Sequence, residues 1–96
     1  MPTNPYDFLN IGRIFYTPRA LKALEDHDIE LITILWRHAS GDWGEISAGD
    51  RALNDTAVER GERTYGAYRL SITCEVWVIT ERDHSSTAVV MPDEYV

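Results

Sequence analysis

Cysteine is nearly missing from this chain. Cys74 is the single thiol among 96 residues, so an intrachain disulfide is excluded, as is a structural zinc site built on thiolates, and the inferred setting is reducing and cytoplasmic. Glycine and proline are also sparse, at six and four. With 44% hydrophobic and 26% charged residues, the composition is that of an ordinary soluble domain rather than a disordered or fibrous chain. Nowhere does an apolar run approach the roughly 18 residues of a membrane helix, and the opening MPTNPYDFLN lacks the basic and apolar regions of an export signal. Basic residues are outnumbered: 9 Lys and Arg against 16 Asp and Glu give a formal charge of -7 and a pI near 4.7. Such a field repels DNA and RNA, so direct nucleic-acid binding is not expected. The acid surplus has two readings: plain solubility, or a surface that imitates the phosphate backbone and occupies a nucleic-acid-binding protein.

What is present divides into an irregular lead-in over residues 1–10 and a single domain over residues 11–96. A chain of this length buries roughly 60 to 65% of its unfolded surface and folds without a staple. The β-branched and aromatic run Ile11 to Tyr16 reads as a strand. Thr17-Pro18 then opens a helix to about Asp26, with Leu21 and Leu24 on its inner face. A second helix, capped by Asp28, runs from Ile29 to about Ala39, with Ile32, Leu35 and Trp36 on the face assigned to the core. Gly41 stops it. A third helix, Ala48 to about Arg60, is opened by a capping motif at Ser47 and closed by Gly61, with Leu53, Ala57 and Val58 directed inward. From Thr64 the period becomes that of strands: Thr64 to Leu70, Cys74 to Thr80 and Ser86 to Met91, joined by short polar connectors as a meander. The order β-α-α-α-β-β-β defines an α+β domain, a small and mainly antiparallel sheet with helices packed on one face. Ser86 to Met91 is the expected edge strand.

Motifs of familiar chemistry are lacking. His27 and His38 stand eleven positions apart around the second helix and His84 lies in a turn, which is not a ligand spacing, so no metal is expected. Cys74 has no histidine or glycine-rich elbow nearby in sequence, no G-x-S-x-G occurs, and Gly41 to Gly44 lacks the spacing of a dinucleotide fingerprint. Neither cofactor nor catalytic residue is expected. The carboxylates Asp42, Glu45, Asp50 and Asp55 fall close together, but not at the alternate positions of a calcium loop, and helix capping accounts for Asp50.

The stretch RHASGDWGEIS, Arg37 to Ser47, is the most unusual. Its tryptophan stands between an aspartate and a glycine in a connector, either as a plug that seals two helices or as an exposed anchor for a partner. Asp42, Trp43, Glu45, Asp50 and Asp55 are accordingly the candidate partner-binding set.

R-H-x-x-G-D-W-G at Arg37 to Gly44, D-x-x-L-N-D at Asp50 to Asp55, Ala67-Tyr68, V-W-V-I-T-E-x-D at Val76 to Asp83 and S-T-x-V-x-M-P-x-E-Y at Ser86 to Tyr95 resemble a family of short bacterial proteins encoded on plasmids and integrative elements. Y-T-P-R-A-L at Tyr16 to Leu21 extends the resemblance across nearly all of the chain after residue 11. Members carry the label plasmid-related protein, or type I restriction endonuclease subunit M. The second label is not literal, since 96 residues cannot hold a methyltransferase's cofactor-binding domain. Family members more often carry arginine at the position of His84, which argues against a catalytic role for it. The resemblance implies a genetic context, that of mobile elements whose compact proteins act against host restriction, CRISPR or other defence systems. Taken with the acidic charge, the missing catalytic motifs and the Asp42-Trp43-Gly44 loop, the expectation is a non-enzymatic accessory protein of a mobile genetic element that binds a protein partner, with anti-CRISPR or anti-restriction activity through an acidic surface. The alternatives are a small hydrolase using His38 with the Asp42 to Asp55 carboxylates, and a homodimer joined through its exposed sheet face or its edge strand.

Overall fold

Short local signals set most element boundaries. The computed structural model describes residues 11–95, and the lead-in expected over residues 1–10 lies outside them. The elements are β1 (Arg13–Tyr16), α1 (Pro18–Asp26), α2 (Leu31–Ala39), α3 (Ala48–Arg60), β2 (Thr64–Ser71), β3 (Cys74–Thr80) and β4 (Ser86–Val90), with short 3-10 turns at Arg82–His84 and Pro92–Glu94. This is the expected β-α-α-α-β-β-β order and an α+β fold. Thr17 accepts the Ala20 N–H at 3.1 Å, and Pro18 follows it, which fixes the start of α1. Ser47 caps α3 through the Asp50 N–H at 3.1 Å, and Gly61, at φ 67°, ends it.

The sheet runs β1-β4-β3-β2. β2 with β3 and β3 with β4 form the antiparallel meander. β1 pairs in parallel with β4, placing Arg13 beside Ser86 and Tyr16 beside Val89. That pairing corrects the expectation of an exposed β4 edge: the strand is interior, and a dimer cannot form through it. Its partner lies more than seventy residues earlier in the chain, a separation at which local pattern carries no information on pairing.

Alternation along β3 sends Val76 and Val78 toward the helices. Together with Tyr68, Val89, Ala20, Leu24, Ile34 and Leu35 they form the core between α1, α2 and one sheet face. Each buried valine, leucine or isoleucine of this set contributes roughly 1.5 to 3 kcal/mol on burial. Three expectations fail here. Asp28 does not cap α2; it lies in the left-handed region at φ 55°, and the helix begins at Leu31 after Glu30, without a side-chain cap. α2 buries Ile34, Leu35 and His38, leaving Ile32 62% and Trp36 70% exposed. Both faces of this helix are apolar, and the one chosen is the one whose histidine meets buried hydroxyls. On α3, Leu53 is 69% exposed while Asn54 is buried. The Asn54 amide donates to the Tyr65 carbonyl at 2.7 Å and accepts the Tyr65 N–H at 3.3 Å, so a polar residue that completes the edge of β2 displaces the apolar one from the inner face.

Two glycines give a test of how the connector between α2 and α3 is held. Both have positive φ, but a Cβ on Gly61 would meet open space, whereas one on Gly44 would lie 2.1 Å from the Ala67 carbonyl oxygen. Gly61→Ala is expected to cost about 1 kcal/mol from backbone strain. Gly44→Ala is expected to cost ~3 kcal/mol or more, since overlap with the strand is added to that strain. Urea midpoints of the two variants check this, and equal shifts would show that the connector is not tied to β2.

Candidate functional site

The connector between α2 and α3 is stitched to the outer edge of β2. Gly44 forms a single parallel bridge with Ala67; the Ala67 N–H donates to the Trp43 carbonyl at 3.1 Å and the Glu45 N–H to the Ala67 carbonyl at 2.6 Å. The Asp42 carboxylate accepts from Arg37 Nε at 2.7 Å and from the Gly44 N–H at 3.1 Å, and Arg37 holds this carboxyl below the usual range. Arg51 reaches back to the Gly44 carbonyl at 2.6 Å. With the connector so held, the Trp43 side chain points inward.

Trp43 is 1% exposed. Its Nε1 donates to Asp55 at 3.1 Å, and its ring meets His38 edge to face with centroids 5.1 Å apart. A partner anchor needs an accessible ring, so Trp43 leaves the candidate docking set and stands as the plug of this junction. The four acids of that set are not gathered. Asp42 pairs with Arg37, Asp50 accepts the Tyr65 hydroxyl at 2.6 Å, Asp55 serves Trp43, and Glu45 is exposed. Among the described residues no three His, Cys, Asp or Glu side chains are placed to hold a metal ion.

His38, named with these acids as the alternative catalytic group, is fully buried, and its two ring nitrogens face the hydroxyls of Tyr68 and Thr80. It stands in a polar chain through the core. The Thr87 hydroxyl meets the Ile11 carbonyl at 2.6 Å and Thr80 at 2.8 Å; Thr80 meets His38 Nε2 at 3.0 Å; His38 Nδ1 meets the Tyr68 hydroxyl at 2.9 Å; and Tyr68 donates to the Asp42 carbonyl at 2.7 Å. Because the Tyr68 proton goes to Asp42, a neutral His38 ring donates either from Nδ1 to Tyr68 or from Nε2 to Thr80, and not from both. A neutral ring leaves this chain one proton short of its five contacts, since both ends are carbonyl acceptors. An imidazolium would supply that proton, but a hydrogen bond contributes about 1 kcal/mol net, whereas an unpaired buried charge costs several. Burial wins, and lowers the His38 pKa from 6.5 to about 4. The same burial pushes the Tyr68 hydroxyl up.

Two concave surface features are formed by the described residues away from this site, and no sequence motif marks either. Between α1 and α2 runs a shallow groove of about 470 Å³, lined by Leu21, Ile29 and Leu31 with Glu25, Asp28 and Glu30. On the sheet face away from α1 and α2 lies a cleft of about 230 Å³ lined by Arg63, Thr64, Tyr65, Trp77, Ile79 and Tyr95. Period-two alternation places Tyr65, Trp77 and Ile79 on one face and could have signalled the cleft; Tyr95 arrives only through the turn at Pro92–Glu94 and has no such signal. The groove depends on the start of α2, which was misplaced by two residues. No family model, curated protein or solved structure matches the chain.

The histidine gives a pH dependence of defined sign. Its folded-state pKa lies below that of the free side chain, so the stabilisation from keeping it neutral is complete above pH 6.5 and is lost as the pH falls toward 4. Roughly 3 kcal/mol of stability should disappear across that window. Imidazole chemical shifts should show His38 still neutral at pH 5, and a ring already charged there would mean that the polar chain outweighs burial.

Proposed function

We propose that the protein binds another protein and catalyses no reaction, acting in the bacterial cytoplasm as an accessory of a mobile genetic element against host defence. The groove between α1 and α2 carries this reading. Its floor is apolar, through Leu21, Ile29 and Leu31, and its rim is acidic, through Glu25, Asp28 and Glu30. Ile32 and Trp36 continue the apolar surface along α2, exposed and one helical turn apart. Exposed tryptophan is the residue type most enriched among the anchors of protein interfaces. An acidic rim on a chain of formal charge -7 selects a partner segment that is basic on one face and apolar on the other, a chemistry found on proteins that bind nucleic acid. The acidic-surface idea thus moves from the Asp42 to Asp55 segment, where Asp42, Asp50 and Asp55 hold partners within the fold, to the groove.

The test is affinity capture from host lysate with wild type, with Glu25→Lys/Glu30→Lys and with Trp36→Ser, followed by titration of the purified partner. A basic partner bound at least tenfold more weakly by both variants, and released as salt rises from 0.1 to about 0.5 M, is the expected result. Unchanged binding by both variants would overturn the reading. A dimer in light scattering that Trp36→Ser dissociates would overturn it too, by assigning the surface to a second copy of the chain.

A further inference from the structure

The cleft on the opposite sheet face is independent of that groove and has a different chemistry. Three aromatic rings wall it. Tyr65 and Trp77 have centroids 6.1 Å apart and Trp77 and Tyr95 6.0 Å apart, all at inclined angles, with Ile79 opposite Tyr65 in the register. The polar edges of two rings are engaged by carboxylates: the Tyr65 hydroxyl donates to Asp50 at 2.6 Å and Trp77 Nε1 to Glu75 at 2.7 Å. A hydrogen bond to an anion increases the electron density of the ring that donates it, so the π faces left to the cleft are the more attractive to positive charge. The molecule already places a cation here. The Arg63 guanidinium lies 5.0 Å from the centre of the Tyr95 ring, with its Nε 3.5 Å from Glu81.

The geometry points to a binding site for a methylated ammonium cation, held by Tyr65, Trp77 and Tyr95 through their ring faces and by the surrounding carboxylates through charge. Three considerations narrow the class. Asp50, Glu75 and Glu81 beside the cleft outnumber Arg63, which lines it, and Arg69, which stands opposite Glu75 in the strand register, and so favour a cation over an anion. Its volume, about 230 Å³, is below the roughly 300 to 1,000 Å³ of sites for drug-sized ligands, so it takes one head group and not a nucleotide. Rings and an isoleucine offer few acceptors to replace the water around a bare ammonium, whereas a methylated one sheds its water readily and meets aromatic faces directly. The shared chemistry has two sources, a trimethylated lysine side chain on a protein and a free choline-type compound.

Titration of the full chain with choline, followed by tryptophan fluorescence and by amide shifts of residues 63–65 and 77–79, tests the site. Saturable binding is expected, about tenfold tighter than that of 3,3-dimethylbutanol, the neutral isostere. Tyr95→Leu, a change at an exposed position, should abolish the preference for the cation, and Arg63→Gln, which removes the competing guanidinium, should raise the affinity severalfold. Equal affinity for choline and its neutral isostere, no saturation with either, or weaker binding by Arg63→Gln would overturn the proposal. A trimethyllysine peptide and its unmethylated form, run alongside, separate the sources: tighter binding of the methylated peptide than of choline assigns the site to a protein side chain, and the reverse assigns it to a small compound.

Discussion

The close approach of Gly44 to Ala67 is the constraint on which the rest of the structure depends. Only a residue without a Cβ can bring the connector to bridging distance of β2, and that contact fixes the exit of α2 and the approach of α3 together. With the backbone held there, Trp43 has one space to fill, the junction between His38 and Asp55. The contact also covers part of the outer edge of β2, where unpaired strand groups would otherwise invite association. One glycine therefore links the position of a helix, the burial of a tryptophan and the closure of a sheet edge.

The polar chain through the core does a related job by different means. It joins β4, β3, α2, β2 and the connector by hydrogen bonds that each favour one relative placement. Its net contribution to stability is small, since each bond replaces one with water. Its contribution to uniqueness is larger, because sliding any element by one residue would leave further buried hydroxyls or ring nitrogens unpaired beyond the one contact that a neutral His38 leaves short. That asymmetry explains why α2 presents Ile34, Leu35 and His38 to the sheet when Ile32 and Trp36 are at least as apolar. The histidine is fitted to one place only, and the apolar residues would pack in several.

The same physics separates what was legible in the sequence from what was not. Thr17-Pro18, Ser47 and Gly61 act within a few residues of themselves, so helix boundaries at these sites could be read directly, as could the meander of β2, β3 and β4 and the resulting α+β class. The plug role of Trp43 was also legible, from the glycine and helix ends around it. The faces of α2 and α3 were not, because hydrophobicity ranks Ile32 above His38 and Leu53 above Asn54, while burial was decided by hydrogen-bond partners far along the chain. Nor was the place of β4, which follows from a pairing with β1 that no local pattern records. For the candidate sites the difficulty was of another kind. Acids that cluster in sequence dispersed to separate partners, and the residues lining the groove and the cleft are unremarkable until the fold brings them together.

Ionisable and apolar groups therefore occupy places opposite to those that composition alone assigns. The histidine with the strongest claim to chemistry is sealed among hydroxyls and held neutral by burial, while isoleucine, leucine and tryptophan stand in solvent on α2 and α3. Buried histidine cannot exchange protons with a substrate, and exposed tryptophan contributes nothing to a core. The inner arrangement specifies one fold, and the outer one leaves apolar surface beside acid, the surface chemistry on which the proposed binding rests. On the other sheet face the carboxylates of Asp50 and Glu75 are likewise committed to named partners, the polar edges of Tyr65 and Trp77, and leave the ring faces to the cleft.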